Sequence, residues 1–107
     1  MPWLKPSISS GAAVYKGASN DDIYTAFKEI AGIRTLPSTG NPMYQPIKGK
    51  TSLSGQPGYI IRVPQADGST VVLRNFSLSQ DVSKARFTIE IQKPAGINKR
   101  TLELKFQ

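Results

Sequence analysis

The chain has 107 residues, a net charge of +7, and neither cysteine nor histidine. That length holds one domain with a modest core. The missing residue types exclude disulfides, thiolate nucleophiles, zinc sites of the usual kind and histidine acid–base chemistry. Any catalysis must use Lys, Arg, Glu, Asp, Tyr, Ser or Thr. With seven carboxylates and one adjacent pair, Asp21-Asp22, no metal or other cofactor is expected.

No apolar run approaches the length of a membrane span, and no stretch has the order of a secretory signal, so stable membrane insertion is not expected. The charge is uneven. Residues 1–44 carry four basic side chains against three acidic ones, and residues 45–107 carry ten against four. A basic half points to an anionic partner: nucleic acid, an anionic surface or an acidic protein.

Residues 1–18 read as an irregular segment or linker remnant, because Pro2, Pro6, Gly11 and Gly17 interrupt every apolar stretch. Residues 19–107 read as a single domain. Its helix begins at Ser19 or Asn20, with Asp22 in capping-box spacing from Ser19. Ile23, Ala26, Phe27 and Ile30 form an apolar stripe, and Gly32 is a stop. Residues 34–57, with four prolines, read as a long irregular connection. Within it, Lys48-Gly49-Lys50-Thr51 lacks the glycine spacing of a P-loop. Its two lysines still suit a nucleic-acid phosphate as point charges.

Four strands follow. Tyr59–Val63 is apolar apart from Arg62; Asp67-Gly68 then marks a turn before Thr70–Arg74. Arg86–Gln92 and Thr101–Phe106 both alternate with period two. Such alternation predicts a sheet with one buried and one open face. The expected fold is α+β, with an N-terminal helix or helices packed on a twisted antiparallel sheet of about four strands. The open face then collects Arg74, Arg86, Thr88, Glu90, Glu103, Lys105 and, less firmly placed, Arg62. The polar segment Asn75–Gln80, with Ser77, follows the second strand.

An ordinary solvated face with cross-strand ion pairs explains any one of these residues. As a set, Arg, Thr and Ser beside a long basic loop suit phosphate recognition. They also suit RNA cleavage without a metal. The 2′-hydroxyl attacks the adjacent phosphate, a base takes its proton, an acid serves the leaving oxygen, and cations stabilise the developing charge. DNA lacks that hydroxyl, so the chemistry selects RNA. Base and acid stay open among Lys48, Lys50, Glu90, Lys105 and Tyr59. Aromatic support for base stacking is slight, since Tyr59 and Phe76 fit the core better.

Three stretches carry a resemblance: Asp67–Ser77 with its DG turn and a strand ending in Arg74, Arg86–Ile91, and Leu102–Phe106. Together they resemble the C-terminal RNase domains of bacterial polymorphic and contact-dependent growth inhibition toxins, in the barnase/EndoU/colicin/RelE group. The resemblance implies a ribonuclease acting on RNA, most often tRNA, and an acidic cognate immunity protein. It allows for a host translation factor. It also implies delivery as part of a larger secreted or cell-surface protein, with action in the cytoplasm of the target cell. The positions matching the motif are Arg74, Ser77 and Thr88, with Arg86 and Glu90 beside them. Many members use a histidine that this chain lacks. The candidate catalytic set is thus Arg74, Ser77, Thr88, Glu90 and Lys50; Lys48, Arg62, Arg86 and Lys105 are candidate RNA contacts. The alternative is a non-catalytic basic β-module binding RNA or an acidic protein, and a structural piece of a secretion system is a third reading.

Overall fold

The computed structural model describes residues 7–9, 12–52, 55–76, 86–92 and 102–107. Among these residues the sheet contains seven strands: β1 (Ser7–Ser9), β2 (Ala12–Tyr15), β3 (Tyr44–Thr51), β4 (Pro57–Pro64), β5 (Thr70–Arg74), β6 (Phe87–Gln92) and β7 (Leu102–Phe106). Their spatial order is β1-β2-β7-β6-β5-β4-β3. All neighbours are antiparallel except β2 and β7, which run parallel with Ala13 opposite Leu104 and Tyr15 opposite Phe106.

This corrects the expected fold. Among the described residues the sheet is mixed and seven-stranded, not antiparallel with about four strands, and one helix packs on it. Two of the added strands lie in the segment read as irregular, and β3 lies in the segment read as a connection. The physical reasons are local. Residues Ala12–Tyr15 are too few to display a period, and their pairing with β7 is made over a long sequence separation. Pro46 lies in β3, an edge strand that pairs only with β4, so one side of its backbone needs no ladder partner. Gly49 adopts φ 79° where the β3–β4 register shifts between Ile47 and Thr51, a bulge that glycine accommodates cheaply.

The helix α1 (Asn20–Ala31) follows the sequence closely at its ends. Ser19 and Asp22 form a reciprocal capping box, with both bonds at 3.1 Å, and Gly32 closes the helix in a left-handed conformation. Ile23, Phe27 and Ala31 are its buried residues, whereas Ile30 is 38% exposed. The contact line therefore runs i, i+4, i+8 and leaves the i+7 position at its margin. The side chain of Gln65 donates from Nε2 to the Ala31 carbonyl, tying the helix end to the chain leaving β4.

The helix links β2 to β3 across one face of the sheet. Its apolar side packs on Ile61, Val63, Val71, Leu73, Phe87, Ile89 and Phe106. Registers place Ile61, Leu73, Ile89 and Leu104 in one row across four strands, as the period-two pattern requires. The opposite face differs from expectation. Its central residues Val14, Val72, Arg74, Thr88, Glu90 and Lys105 are buried rather than solvated.

The β3–β4 hairpin rests on a close backbone approach. A Cβ at Gly58 would lie 2.7 Å from the Lys50 carbonyl oxygen and 2.9 Å from its Cβ. Backbone cannot step aside as a flexible side chain does. Gly58→Ala is expected to destabilise the fold by about 1–3 kcal/mol in urea denaturation. An unchanged midpoint would show that the two strands can separate here without cost.

Candidate functional site

The face opposite the helix carries the polar residues that the sequence singled out. Strand register builds two rows. The first runs Val14, Lys105, Thr88, Arg74, Ile60, Gln45 from β2 to β3. The second, two residues along, runs Glu103, Glu90, Val72, Arg62 from β7 to β4. Directly opposed Cα atoms in such pairs lie about 5 Å apart, so Arg74, Thr88 and Lys105 are immediate neighbours on three adjacent strands.

Ion pairs hold the charges in place. Arg74 Nη2 lies 3.2 Å from Glu90 Oε2, with both side chains largely out of water. Gln92 Nε2 donates to the other Glu90 oxygen at 2.7 Å. Lys105 Nζ lies 3.5 Å from Glu103 Oε2. Among the described residues, two buried side-chain polar atoms are without a hydrogen-bond partner, Arg74 Nε and Thr88 Oγ1. Thr88 is fully buried, at 0% exposure. An orphaned buried donor costs about 1–3 kcal/mol, so two of them on paired residues of neighbouring strands need an explanation. Arg74 Nε–H is a donor and the Thr88 hydroxyl can act as one. Both can donate to an oxygen acceptor.

The remaining predicted residues are placed elsewhere. Arg62 shares the second row but is exposed, with Nη1 donating to Gln45 Oε1 at 2.5 Å. Lys48 and Lys50 are exposed on the edge strand β3. Three strand spacings separate β3 from β6, about 14 Å, so Lys50 stands apart from Thr88. Arg86 precedes β6 and leaves the row altogether. Its guanidinium donates to Asn20 Oδ1 at 2.5 Å, to the Ala18 carbonyl, and to the Gln107 main-chain oxygen at 3.1 Å. It thereby clamps the start of α1 to the end of β7. Ser77 lies outside the described residues.

A second feature was missed by the sequence reading. On the helix side, a cleft of about 780 Å³ is lined by Asn20, Tyr24, Tyr44, Tyr59, Arg86 and Phe87, among others. Tyr44 stacks on Tyr59 at 5.1 Å between ring centroids, and Tyr24 meets Phe87 edge-on at 5.4 Å. Asn75 braces this wall by accepting from the Tyr59 amide at 2.8 Å and donating to the Pro57 carbonyl at 2.9 Å. The three tyrosines come from a helix, an edge strand and β4, so no local spacing links them. Burial pushes the Tyr59 phenol above its ordinary range, and the neighbouring Tyr24 and Tyr44 add to the effect.

Among the described residues, no group of three or more acidic side chains is placed to hold a metal ion. No helix among them is long and apolar enough to cross a membrane. Comparison of the chain with family models, curated proteins and solved structures finds no match.

Two outcomes follow for stability. Thr88→Val removes an unpartnered hydroxyl while keeping the branched shape, so the variant is expected to be more stable by about 1 kcal/mol in urea denaturation. A loss of that size would show that the hydroxyl has a partner. For Tyr59, the folded state holds the phenolic proton more tightly than the unfolded chain does. Its contribution is full below the ordinary tyrosine value of 10.0 and is lost as pH rises above it. Thermal melts should therefore fall on the alkaline side, and less steeply in Tyr59→Phe; equal slopes would argue against a raised phenol.

Proposed function

We propose that the chain is a metal-independent endoribonuclease, with tRNA as the expected substrate, and that its reacting phosphate is bound by the buried Arg74–Thr88–Lys105 row once RNA displaces what covers it. The observation that carries this reading is the pair of buried donors without partners, Arg74 Nε and Thr88 Oγ1. Both are suited to the non-bridging oxygens of a phosphate, where charge develops during the reaction. The basic charge of the second half of the chain favours a polyanion as partner. The toxin resemblance supports the same reading.

In the proposed reaction the 2′-oxygen attacks the adjacent phosphorus and the bond from phosphorus to the 5′-oxygen breaks. The products are a 2′,3′-cyclic phosphate and a free 5′-hydroxyl. One group takes the proton from the 2′-hydroxyl and another returns a proton to the leaving 5′-oxygen. Glu90, whose Oε2 lies 3.2 Å from Arg74 Nη2, is assigned the base, and Lys105 is assigned the acid that serves the leaving oxygen. Arg74 and Thr88 bind the phosphoryl oxygens. Arg62, Lys48 and Lys50, exposed on β4 and β3, would contact the flanking backbone. An acidic immunity protein covering this face, and delivery as the end of a larger protein, belong to the same proposal.

The test is incubation of the purified chain with total tRNA in excess EDTA. Discrete cleavage is expected, carrying cyclic phosphate ends and falling at least about a hundredfold in Thr88→Val and Arg74→Lys, as when a single oxyanion donor is removed. Binding without cleavage at high protein concentration would leave a non-catalytic RNA-binding module and defeat the enzyme reading.

A further inference from the structure

We propose that the aromatic cleft beside the start of α1 is a binding site for the base of a nucleotide. It lies on the face of the sheet opposite the Arg74–Thr88–Lys105 row, so it is not the place of the reacting phosphate, and it stands whether or not the chain cleaves RNA. Three properties of the cleft define its ligand. Its volume, about 780 Å³, lies within the span of small-molecule sites, about 300–1,000 Å³. Its walls are the stacked pair Tyr44–Tyr59 and the edge-on pair Tyr24–Phe87, which offer flat faces to a flat ring.

The third property is polarity. Among the described residues of the lining, Arg86 is the one that is charged, and none is a carboxylate. Among the described residues, no acidic side chain pairs with Arg86; its partners are Asn20 Oδ1 and two main-chain oxygens. A cationic ligand is therefore disfavoured, and an anionic substituent is favoured. An aliphatic ligand would leave polar lining groups facing apolar surface. A heteroaromatic ring uses both kinds of group. It stacks on the tyrosines, and its edge meets the Asn20 amide Nδ2 and the exposed side-chain amide of Gln56. The site is also preformed, because the Asn75 bonds to the Tyr59 amide and Pro57 carbonyl fix the β4 wall before any ligand arrives.

A free mononucleotide and an unpaired base of an RNA strand share this chemistry. The test is an NMR titration of the full chain with AMP, with ribose 5-phosphate and with a triadenylate. Saturable shifts are expected at Tyr24, Tyr44 and Phe87 for AMP, with ribose 5-phosphate binding at least about tenfold more weakly for want of a ring to stack. A triadenylate binding more tightly than AMP would assign the cleft to an RNA strand; equal affinity would assign it to a free nucleotide. Tyr44→Leu should weaken AMP about tenfold, and Gln56→Ala about fivefold, each with the dispersed spectrum of a folded chain. Gln56 is exposed and lies outside the hydrophobic core cluster, so its variant keeps the test valid should Tyr44→Leu fail to fold. Equal binding of ribose 5-phosphate, absence of saturation at millimolar AMP, or shifts confined to Thr88 and Lys105 would each overturn the assignment.

Discussion

The register between β5 and β6 is the constraint on which the rest depends. It sets Leu73 against Ile89 on the helix side and Arg74 against Thr88 on the other. A slip of β6 by one residue would exchange its faces, turning Thr88 and Glu90 into the apolar core and Ile89 away from the helix. The helix makes that slip expensive, since Ile23 and Phe27 pack fully buried in the cluster that includes Leu73 and Ile89. The apolar face therefore fixes where the polar face can stand. The Arg74–Glu90 pair is not a good explanation of stability in its own right. A largely buried ion pair repays its desolvation only in part, and breaking one partner away costs about 3–5 kcal/mol. What such a pair does well is hold a guanidinium in one orientation.

The sheet separates two kinds of chemistry. One face presents cations, a carboxylate and a hydroxyl along two rows, with orphaned donors at the centre. The other presents aromatic rings and amides around a cleft at the start of the helix. Arg86 belongs to the second region although alternation along β6 would assign it to the first. The reason is that it precedes the strand, where the ladder no longer dictates side-chain direction, and three acceptors at the helix start and the chain's last residue capture it.

Much of this was readable before any coordinates. The capping box at Ser19 and Asp22, the stop at Gly32, and strands β4 to β7 follow from short-range chemistry and period-two alternation. So does the sharing of one face by Arg74, Thr88, Glu90 and Lys105. The strands at both margins of the sheet were not readable. β2 is defined by its partner β7, and β3 carries a proline that reads as a loop until its position on an edge is known. Burial of the polar face was hidden as well, because alternation reports that a residue faces away from the core and not whether water reaches it. The aromatic cleft is the clearest case: Tyr24, Tyr44 and Tyr59 meet only after three elements have packed.

The account rests on Arg74 Nε and Thr88 Oγ1 being the donors that receive an oxygen acceptor. The most direct measurement follows the Arg74 Nε–H resonance while the chain is titrated with an RNA whose 2′-positions are methylated, so that it binds without being cut. The account predicts a saturable downfield shift of that resonance and slower exchange of its proton with water. An Arg74 Nε–H signal that stays unchanged while the RNA binds elsewhere on the chain would contradict it.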